Sequence, residues 1–186
     1  MRLFVLVTLT LVFLLADLPL ATRGEAQGVP SPIIAVVEYE ALINESEASK
    51  SVAQQLVAIR DKYQAELDKE EGELSVLNEE LNRQKTILSP EAFAEKAHDF
   101  ERRVREIQAK ERRINGLIKR AEMRALNEVK QVVYGIISDL ARERGYTLVV
   151  PSSTLIYASD QLVISEEVLR RLNERLPHVQ VVLEKN

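Results

Sequence analysis

Residues 81–100 read LNRQKTILSPEAFAEKAHDF, and the Ser89-Pro90 pair at their centre decides the fold. Serine is a strong helix N-cap and proline suits the first helical position, where no N–H is needed. Proline also turns the residue before it away from helical geometry. The pair therefore ends one segment and starts another. Upstream, Val52, Leu56, Ile59, Tyr63, Leu67, Leu74, Leu77, Leu81 and Leu88 recur at threes and fours. Downstream, Phe93, Ala97, Phe100, Val104, Ile107, Ile114, Ile118, Ala121, Ala125, Val129, Val132, Ile136 and Leu140 do the same. That is the period of one helix face, and no strand pattern fits it. Two long helices, Ser49 to Leu88 and Glu91 to about Arg144, should reverse at 89–90 into an antiparallel coiled-coil hairpin. Glu70 and Gln84 fall at seam positions of the first helix, which predicts a thin seam and not a broad core.

The arms carry opposite charge. Residues 61–80 are dominated by Glu66, Asp68, Glu70, Glu71, Glu73, Glu79 and Glu80, and residues 101–120 by Arg102, Arg103, Arg105, Lys110, Arg112, Arg113, Lys119 and Arg120. In an antiparallel hairpin these stretches pass each other. Exposed pairs contribute only ~0.2–1 kcal/mol each, so they set register more than stability. The excess cations on the return arm also form a surface for an acidic partner or for lipid headgroups at a membrane. Both readings stand. A forty-residue helix rises about 60 Å, too far to lie across a small core, so the hairpin should project.

Around it the chain supplies a small body. Residues 1–26 read as a secretory signal: Arg2, then an apolar run from Leu3 to Ala16, then Gly24-Glu25-Ala26 as a cleavage site. The run is shorter than the ~20 residues of a spanning helix. The mature chain is thus expected to be soluble and exported. Ile33 to Val37 reads as a buried strand, Tyr146 to Val150 as a second and Leu155 to Tyr157 as a third. Gly145 sits where a left-handed residue stops the return helix. Ser165 is expected to cap a last helix that ends before Pro177, and Val179 to Leu183 alternates weakly as an edge strand. The fold class is α+β, with a β-rich oligomerisation body of residues 27–48 and 145–186 and a helical arm of residues 49–144. Ile34, Val36, Tyr39, Leu148, Val150, Leu155 and Tyr157 are its body and oligomerisation residues. A sheet this small leaves edges that other copies of the chain can cover.

The 186 residues include no cysteine and two histidines, which excludes disulfide scaffolding and thiol chemistry and leaves little for a zinc site. A net charge of −4 argues against nonspecific nucleic-acid binding. There is no phosphate-cradling glycine loop and no nucleophile elbow. His98 and His178 have no partners at catalytic spacing, and no cofactor is implied. The chain reads as a non-enzyme.

Taken together, Ile34-Ala35-Val36-Val37-Glu38-Tyr39, Asn44-Glu45-Ser46-Glu47-Ala48, Glu143 to Val150, Leu155-Ile156-Tyr157-Ala158-Ser159 and Val163-Ile164-Ser165-Glu166-Glu167-Val168-Leu169 resemble the Skp/OmpH family of periplasmic chaperones. Val163 replaces the aspartate usual before the last helix, and the acidic balance departs from the strongly basic enterobacterial members. The resemblance implies a homotrimer whose strands form one body and whose three hairpins enclose a cavity. It also implies an ATP-independent holdase for unfolded outer-membrane proteins. Candidate client contacts are Phe93 and Phe100 near the tip, with Arg102, Arg103 and Arg105 for acidic segments. Phe93 and Phe100 equally fit the seam. The rival reading is an envelope scaffold whose coiled coil binds one folded partner.

Overall fold

A computed structural model describes residues 31–184, so the expected signal segment lies outside the described residues. The element order is β1 (Ile34–Val37), α1 (Tyr39–Glu45), α2 (Glu47–Gln84), α3 (Pro90–Arg144), β2 (Leu148–Pro151), two 3₁₀ turns (Ser152–Thr154 and Asp160–Leu162) and α4 (Ser165–Arg175). The architecture is α+β, with a small sheet and two long helices.

Serines and a proline set the helix limits. Ser46 has extended backbone and caps α2, its hydroxyl accepting from the Ser49 N–H (3.3 Å). The Glu47 N–H, also left free by the helix start, donates to Asn173 Oδ1 of α4 (3.0 Å). Residues 85–88 form the turn between the long helices, and Ser89 then caps α3 through the Ala92 N–H (3.3 Å) with Pro90 in the first turn. Gly145 ends α3 in the left-handed region at φ 73°, where a side chain would be strained.

β1 and β2 are 111 residues apart at their nearest ends in sequence, yet pair in parallel from Ile34↔Leu148 to Val37↔Pro151. Parallel pairing requires a long crossover, and the whole helical hairpin supplies it. A third chain segment touches the other edge of β1: Val36 and Val163 form a parallel bridge, and the Ile164 N–H donates to the Val36 carbonyl (2.9 Å). β1 is therefore central, and Ala35, Val36 and Val37 are all buried, as expected for a strand covered on both faces.

Two expected strands take other forms. Ser152–Thr154 is a 3₁₀ turn, and Leu155 to Tyr157 follows without ladder partners, its side chains outward. An apolar run makes a strand only beside another strand, and none is available here within the described residues. Val179 to Leu183 is extended but does not join the sheet: Val179 and Val181 are buried in the helical core instead. Ser165 also departs from expectation. The residue preceding α4 is Ile164, no side chain caps that helix, and Ser165 is its first residue. Its hydroxyl accepts the Glu38 N–H at the end of β1 (2.8 Å). The Val36–Val163 bridge draws these segments together, so the hydroxyl serves a distant backbone group.

The core lies where the helices meet the body. Leu42 of α1, Val52 and Leu56 of α2, Val129, Val133, Ile136 and Leu140 of α3, and Val168 and Leu172 of α4 form one buried cluster. α4 is fastened to the end of α3 by charge. Arg171 spans Glu143 (2.9 and 2.8 Å) and Glu167 (2.7 Å), and Arg175 reaches Asp139.

Candidate functional site

Burial changes along the hairpin. On α2 the last fully buried side chain is Leu67, and on α3 the first is Ile114. Beyond them Leu74, Leu77 and Leu81 meet the region of Phe93, Phe100, Val104 and Ile107, and all are only half-buried. A pair of helices has no third layer to close its seam, so each apolar side chain keeps an edge in water. Phe100 lines a groove with Leu77 and Leu81, which places it in the seam. Phe93, one turn into α3, is half-buried as well.

The three candidate arginines do not act as one cluster. Arg102 pairs with Asp99 (2.6 Å) and lies 3.9 Å from Glu106, while Arg105 pairs with Glu101 (3.5 Å). These are neighbours on the same helix. Arg103 has no ion pair among the described residues and borders the grooves that flank Phe100 and Ile107. Farther down, charges cross the hairpin as the antiparallel register requires. Lys110 meets Glu70 (2.6 Å) and Glu66 (3.7 Å), and Arg60 meets Glu122 (3.4 Å). The Glu70 hydrogen bond leads in pushing the Lys110 ammonium above its ordinary pKa, against partial desolvation. Next to this pair is an open groove of about 520 Å³, between Lys62 and Tyr63 on α2 and Arg113, Leu117 and Arg120 on α3.

The body presents a different surface. Ile34 and Leu148 are paired across the sheet and both exposed, with Ile33 beside them and Leu155, Ile156, Tyr157 and Leu162 in the loop that follows. Ile156 and Tyr157 are 108% and 84% accessible, values of a side chain touching almost nothing in its own chain. Val36 is buried and Val150 half-buried. Thus Ile34 and Leu148 on the sheet and Leu155 and Tyr157 in the following loop are each exposed, whereas Val36 packs internally. Tyr39 belongs elsewhere: its ring stacks on Tyr134 of α3 at 5.6 Å and 12°, joining α1 to the arm base. Sequence reasoning placed Ile156 only within the Leu155 to Tyr157 strand and not among the body contacts, although an isoleucine beside a tyrosine in a short run between turns was the available signal.

The sequence model of the family described as outer membrane protein (OmpH-like) matches residues 33–172. The chain belongs to that family. OmpH-like proteins of the Skp type are periplasmic, non-catalytic chaperones of outer-membrane protein biogenesis, and the chain is accordingly no enzyme. The fold is similar to a crystal structure from Caulobacter crescentus, described as a candidate outer membrane chaperone (OmpH-like). The TM-score is 0.77 at 19% identity, over 83% of this chain and 92% of that one. No curated protein matches the sequence. In this OmpH-like chain the match covers sheet, hairpin and most of α4, and stops at Leu172.

Proposed function

We propose that this OmpH-like chain is an ATP-independent periplasmic holdase that assembles as a homotrimer and keeps unfolded outer-membrane proteins soluble after export. Residues 1–26 are its signal peptide, 27–48 and 145–186 its oligomerisation body and 49–144 its arm. The observation that carries this reading is the family match across body and arm alike. Two physical features support it. Ile34 and Leu148 on the sheet and Ile156 and Tyr157 in the loop after β2 are exposed apolar side chains, and the outer edge of β2 has no partner among the described residues. A second copy of the chain, offering the same apolar side chains and unpaired backbone groups, is the natural cover. The arm, for its part, is lined by half-buried apolar residues and charges in place of a pocket. Unfolded β-barrel precursors expose alternating apolar side chains and free backbone groups. Many weak contacts with Phe93, Phe100 and Arg103 shield such a client and still release it. Acidic lipid headgroups at a membrane surface suit the cations of the return arm in the same way.

Light scattering on residues 27–186, with and without a urea-unfolded outer-membrane protein diluted into buffer, tests the proposal. The expected result is three protomer masses and a discrete soluble complex without ATP. A monomer or dimer that leaves client aggregation unchanged overturns it and favours a scaffold that binds a folded partner.

A further inference from the structure

The segment after Pro177 lies beyond the family match and outside the sheet, yet it is held by a specific set of bonds. Gln55 of α2 donates from Nε2 to the Val179 carbonyl (2.7 Å) and accepts the Val181 N–H on Oε1 (3.0 Å). These two bonds flank Gln180 as ladder bonds flank a residue in a parallel sheet. One helical amide thus stands in for a neighbouring strand. Val179 and Val181 are buried with Val52, Leu56, Ala121, Ala125 and Val129, while Gln180 and Val182 stay outside. At one end His178 Nδ1 is hydrogen-bonded to the Ser51 hydroxyl (2.5 Å). At the other, Arg124 of α3 donates to the Val182 carbonyl (3.1 Å) and pairs with Glu184 (3.0 Å).

We infer that the base of the arm carries a peptide groove whose occupant is the chain's own C-terminal segment, residues 177–184, bound as a strap that ties α2 to α3. The groove selects extended backbone through Gln55 and Arg124. It selects apolar side chains two residues apart through the pockets of Val179 and Val181, and a carboxylate after them through Arg124. Both long helices contribute, so filling the groove gives the hairpin base the third layer that the distal arm lacks. Bending of the arm is thereby confined to the part beyond Leu67 and Ile114, where no side chain is fully buried.

The test compares amide exchange in the full protein, in a chain ending at Leu176 and in full-length Gln55→Ala. Loss of two net hydrogen bonds corresponds to about tenfold or more in local opening. The chain ending at Leu176 is expected to exchange at least that much faster over residues 52–56 and 121–129. A synthetic peptide of residues 177–186 should bind it and restore the protection. A peptide with serine in place of both Val179 and Val181 should not, and neither peptide should bind the full protein. In Gln55→Ala the Val181 N–H should exchange about tenfold faster while β1 is unchanged. Unaltered exchange over 52–56 and 121–129 after truncation, or failure of the wild-type peptide to bind, overturns the inference. If the shortened chain does not fold, Gln55→Ala decides: Val181 exchange equal to wild type overturns it.

Discussion

Tyr39 shows how one side chain joins two parts of this molecule. Its ring stacks on Tyr134, but its buried hydroxyl finds no hydrogen-bond partner among the described residues. Burial leads in pushing its pKa above the ordinary tyrosine value, and the Tyr134 phenol adds to it from nearby without meeting hydrogen-bond geometry. A buried hydroxyl without a partner costs about 1–3 kcal/mol. Tyr39→Phe keeps the stack and removes that group, so it should stabilise the protein by about 1 kcal/mol in urea unfolding. A loss of stability would mean that the hydroxyl is bonded. The charge cluster on α4 makes a second prediction. Hydrogen bonds from Arg170 and then Arg171 hold the Glu167 carboxyl down at about 2, against an ordinary 4.5, and Arg171 depresses Glu143 in the same direction. A carboxylate with a lowered folded pKa contributes stability that is complete above its unfolded pKa and disappears as pH falls toward its folded one. Stability should therefore decline from about pH 4.5 to about pH 2. In Arg171→Met the decline over that window should flatten, as unfolding series at each pH would show. An unchanged slope would mean that these pairs do not matter to folding. At this scale Ser89 was legible because its partner, Ala92, is three residues away. Ser165 was not, because its partner Glu38 is 127 residues distant and comes near only through the sheet.

At the scale of elements, the hairpin was open to reading because helix period, cap and proline are all local. Its limits still shifted: α2 begins at Glu47 and stops at Gln84, since buried Ser46 caps it through the Ser49 N–H and residues 85–88 are needed for the reversal. Strands were harder because a strand is defined by its neighbour. Val179 to Leu183 alternates like an edge strand, and period-two burial does occur, but against helices with Gln55 in place of a ladder. The arginines illustrate the same limit. Their sequence suggests one basic patch, whereas i,i+3 and i,i+4 carboxylates occupy Arg102 and Arg105. Arg103 alone of the three keeps its charge unpaired among the described residues. Arg103→Gln should weaken binding of an unfolded outer-membrane protein several-fold at low salt, and less at high salt as screening grows. Arg102→Gln should have the smaller effect, because its charge is already compensated. Fluorescence titration of both variants checks the order, and equal losses would show that total charge, not its placement, governs capture.

For the whole molecule the decisive feature is a sheet too small to close its own core. β1 is covered on both faces, but among the described residues β2 has an open edge, and Ile34, Leu148, Ile156 and Tyr157 stay exposed. Burying such side chains is worth about 1.5–3 kcal/mol each. A closed ring repeats that gain at every interface, whereas an open chain of copies would leave ends exposed and grow. Ile156 and Tyr157 contribute almost nothing to their own chain's packing, so altering them separates assembly from folding. Ile156→Asp with Tyr157→Asp should leave the helical circular dichroism and the strength of the arm base unchanged. On the proposed homotrimer, the same variant should fall from three protomer masses to one by light scattering. A monomer encloses no cavity, so it should also lose the ability to hold an unfolded outer-membrane protein in solution. If the variant stays trimeric, the assembly face lies elsewhere. If it becomes monomeric and still protects the client, a single arm suffices and enclosure is not the mechanism.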